Sequence, residues 1–190
     1  MLNRETYIKR REQLCRLINN GIVLLFGNNE SPCNYPANAY APFRQDSSFL
    51  YYFGLQEIGL IGVIDTETNE EWLLGNDVDV EDIVWYGSVP TMVSLSESVG
   101  VRNSAPLAKI HDIVKDATEK KRKIHFLPPY RHDNQILLMD LLGIHPSMQR
   151  EAASLELINA VVEMRSRKSD DEIAELERAS VIGYEMHTKA

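Results

Sequence analysis

The sequence predicts a three-layer α/β domain built on a mixed sheet. Three observations carry that expectation. A short, wholly apolar run at residues 22–26 follows an amphipathic helical stretch. Two further strand-like runs, 60–65 and 70–74, are separated only by a polar turn. Beyond them, helical and strand-like segments alternate. The chain has 190 residues, of which 44% are apolar and 25% charged. That is the composition of an ordinary soluble globular protein, long enough for one good-sized core.

Residues 3–20 read as a helix, with Ile8, Leu14, Leu17 and Ile18 forming an apolar stripe among Arg and Glu. Asn20 and Gly21 stop it, Gly21 as a left-handed cap. Residues 22–26 then form a buried strand. Residues 27–39 are rich in Asn, Pro, Ser and Gly and read as loop. The loop continues to Ser48: Pro42 biases Ala41 towards extended backbone, and Arg44 to Ser48 crowd polar groups together. The aromatic run 49–53 reads as a strand, with Phe49, Tyr51 and Phe53 on one face and Leu50 and Tyr52 on the other. Gly54 ends it. The runs at 60–65 and 70–74, joined by Thr66-Glu-Thr-Asn69, form a hairpin.

The acidic stretch 77–85, with Val78, Ile83 and Val84, reads as a short helix, and Gly87, Ser88 and Pro90 open a loop. Ser104 is the expected N-cap of a helix presenting Leu107, Ile110 and Val114. Residues 123–127 form a strand closed by Pro128-Pro129. Residues 134–142 form a helix stopped by Gly143 and Pro146. Another helix covers 155–164, with Leu155, Ile158, Val161 and Val162 apolar. Finally, Ser169 and Glu172 make a capping box, and Asp170 and Asp171 complement the helix dipole. Ile173, Leu176, Ser180, Gly183 and His187 follow at helical spacing. This capped helix runs to Ala190 with no terminal cap, and we read it as the start of something larger.

A net charge of -8 and a pI near 5.2 argue against a general nucleic-acid or anionic-membrane binder. The basic run Lys120 to Lys123 reads as a solvated turn. Cys15 and Cys33 are too few for a disulfide framework and read as free thiols. The first segment has no apolar h-region and no apolar run is long enough to span a bilayer, so the cytoplasm is the expected location. His111 and Asp112 are adjacent and point apart on a helix, as do His132 and Asp133. His125 sits in an apolar strand, His145 precedes Pro146, and His187 stands alone, so none has metal-site spacing. Ser47 and Ser48 lack a Gly-x-Ser-x-Gly elbow. Arg44 and Asp46 must find internal partners beside a buried segment. The favoured reading is a structural Arg44–Asp46 clamp that fixes the loop; the rival is a ligand-facing guanidinium.

The run Phe43-Arg-Gln-Asp-Ser-Ser-Phe-Leu-Tyr-Tyr-Phe-Gly54 resembles the signature of the N-terminal domain of the aminopeptidase P family, proline-specific aminopeptidases related to prolidase and creatinase. A second stretch resembles the family's junction into its pita-bread catalytic domain. It comprises Glu163-Met-Arg165, Lys168-Ser169, Glu172-Ile173 and Leu176-Glu-Arg-Ala179. The resemblance covers the whole chain, which covers less than half of the family's usual length. It implies a mixed sheet of about six strands, of a ribonuclease-H-like kind. It also implies a division into an N-terminal domain at 1–167 and the first catalytic-domain helix at 168–190.

The activity implied is hydrolysis of the bond before proline, on peptides with proline in second position. A pair of divalent ions, manganese as a rule, activates the water. The family's metal-ligand motifs fall outside these residues, so the resemblance implies no metal ligand or catalytic residue here, and this chain alone is expected to be inactive. It implies a homo-oligomer at full length, with no nucleic-acid or membrane partner. Ile83-Val-Trp85-Tyr86-Gly87 resembles the segment whose aromatic reaches the substrate cleft. Trp85, Tyr86 and Arg44 are therefore cleft candidates, with core or interface packing as the alternative for Trp85. Three rivals stand beside this reading. They are the N-terminal domain of a prolidase or creatinase-like amidinohydrolase, a relative that only binds peptide or protein, and a nuclease using Asp46, Asp65 and Asp77.

Overall fold

The structure, a computed structural model, describes residues 2–39, 42–78, 84, 87 and 89–189. Among them, seven strands run in chain order: β1 (Ile22–Phe26), β2 (Pro32–Cys33), β3 (Tyr35–Ala39), β4 (Ile61–Asp65), β5 (Glu71–Leu74), β6 (Asn103–Ala105) and β7 (Ile124–Phe126). Eight helices accompany them: α1 (Arg4–Leu17), α2 (Ser47–Phe53), α3 (Met92–Ser98), α4 (Lys109–Glu119), α5 (His132–Leu142), α6 (Pro146–Ala152), α7 (Leu155–Ser166) and α8 (Asp170–Lys189). Five strands form one mixed sheet in the order β6-β5-β4-β1-β7, and β2 and β3 form a separate ribbon. The expected hairpin is present, with β4 antiparallel to both β1 and β5. The outer strands β7 and β6 join in parallel.

The sheet is covered on both faces, so the three-layer architecture holds. Alternation along β1 sends Val23 and Leu25 to one core and Ile22 and Leu24 to the other. The larger core packs α1, α2, α3 and α7 against the sheet through residues such as Leu14, Phe49, Phe53, Leu95 and Leu157. The smaller packs α4 through Ile110, Val114 and Ala117, with Leu137 and Leu141 of α5 alongside.

Several elements differ from the sequence reading. The run 49–53 is not a strand. Asp46 accepts hydrogen bonds from the N–H groups of Ser48 and Phe49, and Gly54, at φ 69°, closes the far end, so α2 is a helix capped at both ends. Phe49 and Phe53 then stack one turn apart, with ring centroids 5.1 Å away. Their seat is Gly62 of β4, where a Cβ would lie 2.0 Å from the Phe53 ring. The main sheet thus has five described strands where about six were implied. Ser104 belongs to β6: Pro106 biases Ala105 to extended backbone, and the helix waits until Lys109.

Other departures are smaller. α1 ends at Leu17, so Gly21 (φ 77°) lies beyond the helix rather than capping it. The ribbon β2–β3 falls inside the stretch read as loop, and α3, capped by Thr91, was not anticipated. On α7 the buried side is Leu157, Ala160, Val161 and Met164, leaving Leu155 and Val162 exposed. Most of the helix expected at 77–85 lies outside the described residues.

One buried charge ties four elements together. Arg11 of α1 is fully buried. Its Nη1 donates to the Tyr52 carbonyl of α2 at 2.8 Å and its Nη2 to the Val99 carbonyl after α3 at 2.9 Å. Its Nε lies 2.9 Å from Glu71 Oε2 of β5. That last N–H is poorly aimed, so the contact is a charge pair more than a hydrogen bond. Burial lowers the Arg11 pKa and raises that of Glu71, with their mutual attraction opposing both shifts. Desolvation therefore outweighs pairing, as is usual for interior ion pairs. Losing one partner strands the other charge, and Arg11→Met is expected to cost roughly 3–5 kcal/mol in urea unfolding, with much of that restored in Arg11→Met/Glu71→Gln. A single-variant loss below about 1 kcal/mol would contradict this account.

His125 of β7 is the second buried polar anchor, at 2% exposure. Its Nδ1 sits 2.7 Å from Ser154 Oγ, and its Nε2 lies 2.9 Å from both the carbonyl and Oδ1 of Asn20. A neutral ring fits, with Nε2–H donating to Asn20 and Nδ1 accepting from Ser154. Burial pulls its pKa below 6.5; the Asn20 bond and Glu156 oppose that, while Lys123 adds to it. The unfolded chain therefore binds a proton at a pH where the folded one does not. Stability is full above the unfolded value and falls as pH drops from there towards the folded value. Urea midpoints are expected to decline from about pH 7 to pH 5, and His125→Gln to flatten that slope.

Candidate functional site

The parallel strands β1 and β7 end side by side, and the loop carrying Arg44 lies across their C-terminal ends. This is where open α/β sheets place their ligand sites. Two buried amides fix the arrangement. Gln45, 7% exposed, accepts from the N–H of Asn28 at 2.6 Å and of Asp46 at 2.9 Å, and donates to the Glu57 carbonyl at 2.7 Å. Asn28, which follows β1, donates through Nδ2 to the Arg44 carbonyl at 2.9 Å and to the Tyr130 hydroxyl at 3.0 Å. From the other side, Arg131 donates to the Asn29 carbonyl at 2.8 Å and to Ser31 Oγ at 2.9 Å, and pairs with Asp133 at 3.2 Å. Burial would raise the Asp133 pKa, but the bonds from Arg131 and Asn29 hold it below the usual carboxylate value.

The result is an open groove of about 520 Å³ with Asn29, Phe43, Arg44, Tyr130 and Arg131 on its walls. Arg44 is exposed on this rim. Among the described residues it makes no ion pair with Asp46, whose carboxylate caps α2 instead, so the expected clamp is not formed. The loop is held by Asn28 and Gln45, which sequence reasoning missed. The available signal was Gln45 itself, a polar side chain between two charged ones at the threshold of an apolar run. Trp85 and Tyr86 lie outside the described residues.

The groove offers a guanidinium, a phenol and amides, which suit recognition. Among the described residues its lining holds no histidine and no cysteine. Among the described residues no three of His, Cys, Asp or Glu gather, so those donors do not fit a pair of divalent ions. The three aspartates of the nuclease reading hold separate structural posts. Asp46 caps α2, Asp65 pairs with Arg122 at 2.6 Å, and Asp77 accepts from the N–H of Met92 at 2.6 Å. Cys15 is buried, which pushes its thiol up to about 11 and disfavours the thiolate.

The profile described as "Aminopeptidase P, N-terminal domain" matches residues 7–125. The Xaa-Pro aminopeptidase of Escherichia coli is 26% identical over 198 residues, covering 100% of this chain and 44% of that protein. The human Xaa-Pro dipeptidase is 26% identical over 199 residues, covering 98% of this chain and 37% of its own length. The low-pH form of E. coli aminopeptidase P superposes with a TM-score of 0.78 at 22% identity, over 99% of this chain and 44% of that one. Its zinc-substituted form with product bound gives 0.77 at 23% identity, over 98% and 44%. At that identity the likeness shows the fold. The chain spans less than half the length of these relatives.

The matched stretch contains the whole Arg44 loop, and its hydrogen bonds rank the loop's side chains. Gln45→Ala leaves a buried backbone N–H without its acceptor and is expected to cost about 1–3 kcal/mol. Asp46→Ala removes an N-cap and should cost about 1 kcal/mol. Arg44→Ala should stay within about 0.5 kcal/mol. Urea titration measures all three, and an Arg44→Ala loss equal to that of Asp46→Ala would restore the clamp.

Proposed function

The chain belongs to the aminopeptidase P N-terminal domain family, and from that premise we propose that it forms the non-catalytic wall of a cytoplasmic Xaa-Pro aminopeptidase. In this reading, residues 1–167 form the wall and 168–190 begin a catalytic domain. The wall narrows the cleft over peptides with proline in second position and supports contacts in a homo-oligomer. Trp85, Tyr86 and Arg44 face that cleft. The ions that activate water, manganese as a rule, belong to the catalytic domain, and no residue here is assigned to them.

One observation carries the reading. α8 is a 20-residue helix with a formed capping box and no buried residue. It exposes Leu176, Ile182, Tyr184 and Met186. Apolar side chains so placed support a covering layer of further polypeptide.

A second reading is favoured by the human dipeptidase, whose identity of 26% equals that of the bacterial aminopeptidase. There the same wall would close over Xaa-Pro dipeptides only. The test is full-length protein with manganese, assayed on a dipeptide and on longer Xaa-Pro peptides. Release of the first residue from the longer peptides supports the aminopeptidase, and cleavage of the dipeptide alone supports the dipeptidase. No release from either refutes both. Trp85→Ala in the full-length protein is expected to lower kcat/KM on longer peptides about tenfold, the worth of one aromatic contact. Unchanged kinetics would remove Trp85 from the cleft.

A further inference from the structure

The groove at the ends of β1 and β7 holds two guanidinium groups in different states. Arg131 is committed to the wall. Its Nη1 donates to Ser31 Oγ at 2.9 Å, its Nη2 to the Asn29 carbonyl at 2.8 Å and its Nε to Asp133 at 3.2 Å. Arg44 lines the same space and is exposed. Among the described residues its guanidinium makes no hydrogen bond and no ion pair. Its backbone, by contrast, is held fast. Asn28 Nδ2 donates to the Arg44 carbonyl at 2.9 Å, and the following residue, Gln45, is buried and bonded to Asn28, Asp46 and Glu57. A fork of donors thus projects from a fixed point, which lowers the ordering cost of gripping a ligand.

The other walls narrow what that ligand can be. The Tyr130 hydroxyl is occupied by Asn28 at 3.0 Å while the side chain stays 65% exposed, so the groove is offered its ring. Phe43, half-buried, adds a second ring. Asp46 is the one acid among the described lining residues, and its Oδ1 accepts from the N–H groups of Ser48 and Phe49. A dianion such as phosphate would be repelled by that carboxylate at close range. A single, planar carboxylate matches the two parallel N–H groups of one guanidinium instead. The whole chain carries a net charge of -8, so no general field gathers anions here and the attraction is local.

We propose that Arg44 grips a carboxylate of an extended peptide, with the apolar part of the same residue or its neighbour lying on Tyr130 and Phe43. The inference rests on the reading above, in which this groove opens on the substrate cleft. Its consequence is a preference among peptides. Those long enough to bring a carboxylate to Arg44 bind more tightly than the same peptides without that charge.

Full-length protein with manganese tests it on a ladder of Xaa-Pro peptides, lengthened one residue at a time, each as the free acid and as the C-terminal amide. At one length kcat/KM is expected to be about fivefold higher for the acid, the worth of a charged hydrogen bond at a half-open site. Arg44→Gln is expected to remove that preference, and Arg44→Lys, which keeps the charge without the fork, to leave part of it. At that length an amide ending in Glu, set against one ending in Gln, separates the two sources. Recovery assigns a side-chain carboxylate and no recovery the chain terminus, and either keeps the groove. An acid-to-amide ratio that Arg44→Gln moves at no length overturns the inference, while the turnover itself leaves the peptidase reading standing. Equal loss on acid and amide also overturns it, because Arg44 then holds the protein's own polypeptide. If no peptide is cleaved, the peptidase reading fails and saturation-transfer NMR with the N-acetylated peptides decides the groove. Stronger transfer to the acid in the parent but not in Arg44→Gln supports it, and equal transfer to acid and amide overturns it.

Discussion

Two consecutive arginines hold the carbonyl end of a helix too short to stand alone. α2 has seven residues, well below what is marginally stable in water. Its last carbonyls have no partner within the helix. Arg10 takes the Tyr51 carbonyl and Arg11 the Tyr52 carbonyl, while Gly54 turns the chain away at positive φ. Cations at a helix C-terminus also sit well in the helix dipole. Once α2 is fixed at this end and capped by Asp46 at the other, Phe49 and Phe53 are aimed at the sheet. The loop before it is then drawn across the ends of β1 and β7.

The two arginines diverge from that shared task. Arg11 turns inward, where its charge is matched by Glu71 and by carbonyls of α2 and the residue after α3. Arg10 turns outward, over Tyr51, to Glu172. The same short helix therefore couples the interior of the domain to the start of α8. Its N-terminal side carries Gln45 and Arg44 to the groove. A stretch of twelve residues, 43–54, reaches the core, the groove and a cleft shared with α8. Its unusual mixture of residue types follows from having three surroundings to satisfy.

What could be read from the sequence was what short-range rules govern. Residues 22–26 are apolar throughout because both faces of β1 are covered. The polar turn at 66–69 joined β4 to β5 as expected, and Ser169 with Glu172 formed its capping box. The run 49–53 misled because aromatic residues favour strands, and that preference outweighed the Asp-Ser-Ser start and the Gly stop that mark a helix. β6 is three residues long and exists because β5 offers it an edge, which no local pattern reveals. The groove was half legible. Arg44 and Asp46 stood out as charges beside a buried run, but their partners lie far along the chain. Asn28 meets Tyr130 across more than a hundred residues. Pairing between charges was the natural local guess, and the fold used neutral amides instead.

That substitution bears on function. An Arg44–Asp46 clamp would bury the guanidinium's capacity inside the loop. With Gln45 and Asn28 holding the backbone and Asp46 capping α2, Arg44 keeps its donors on the rim of the groove. Neutral amides fix a loop without the desolvation cost of an ion pair, and each satisfies donors and acceptors together. The outcome is a rigid backbone with side chains left over for recognition. The acids tell the same story from the other side. Asp46, Asp65 and Asp77 each accept hydrogen bonds that hold a cap or a turn. Acids engaged in that way are poor general bases, because giving up those bonds would loosen the elements they hold. The same bonds that make the loop and the helix ends firm thereby hold these acids in structural posts.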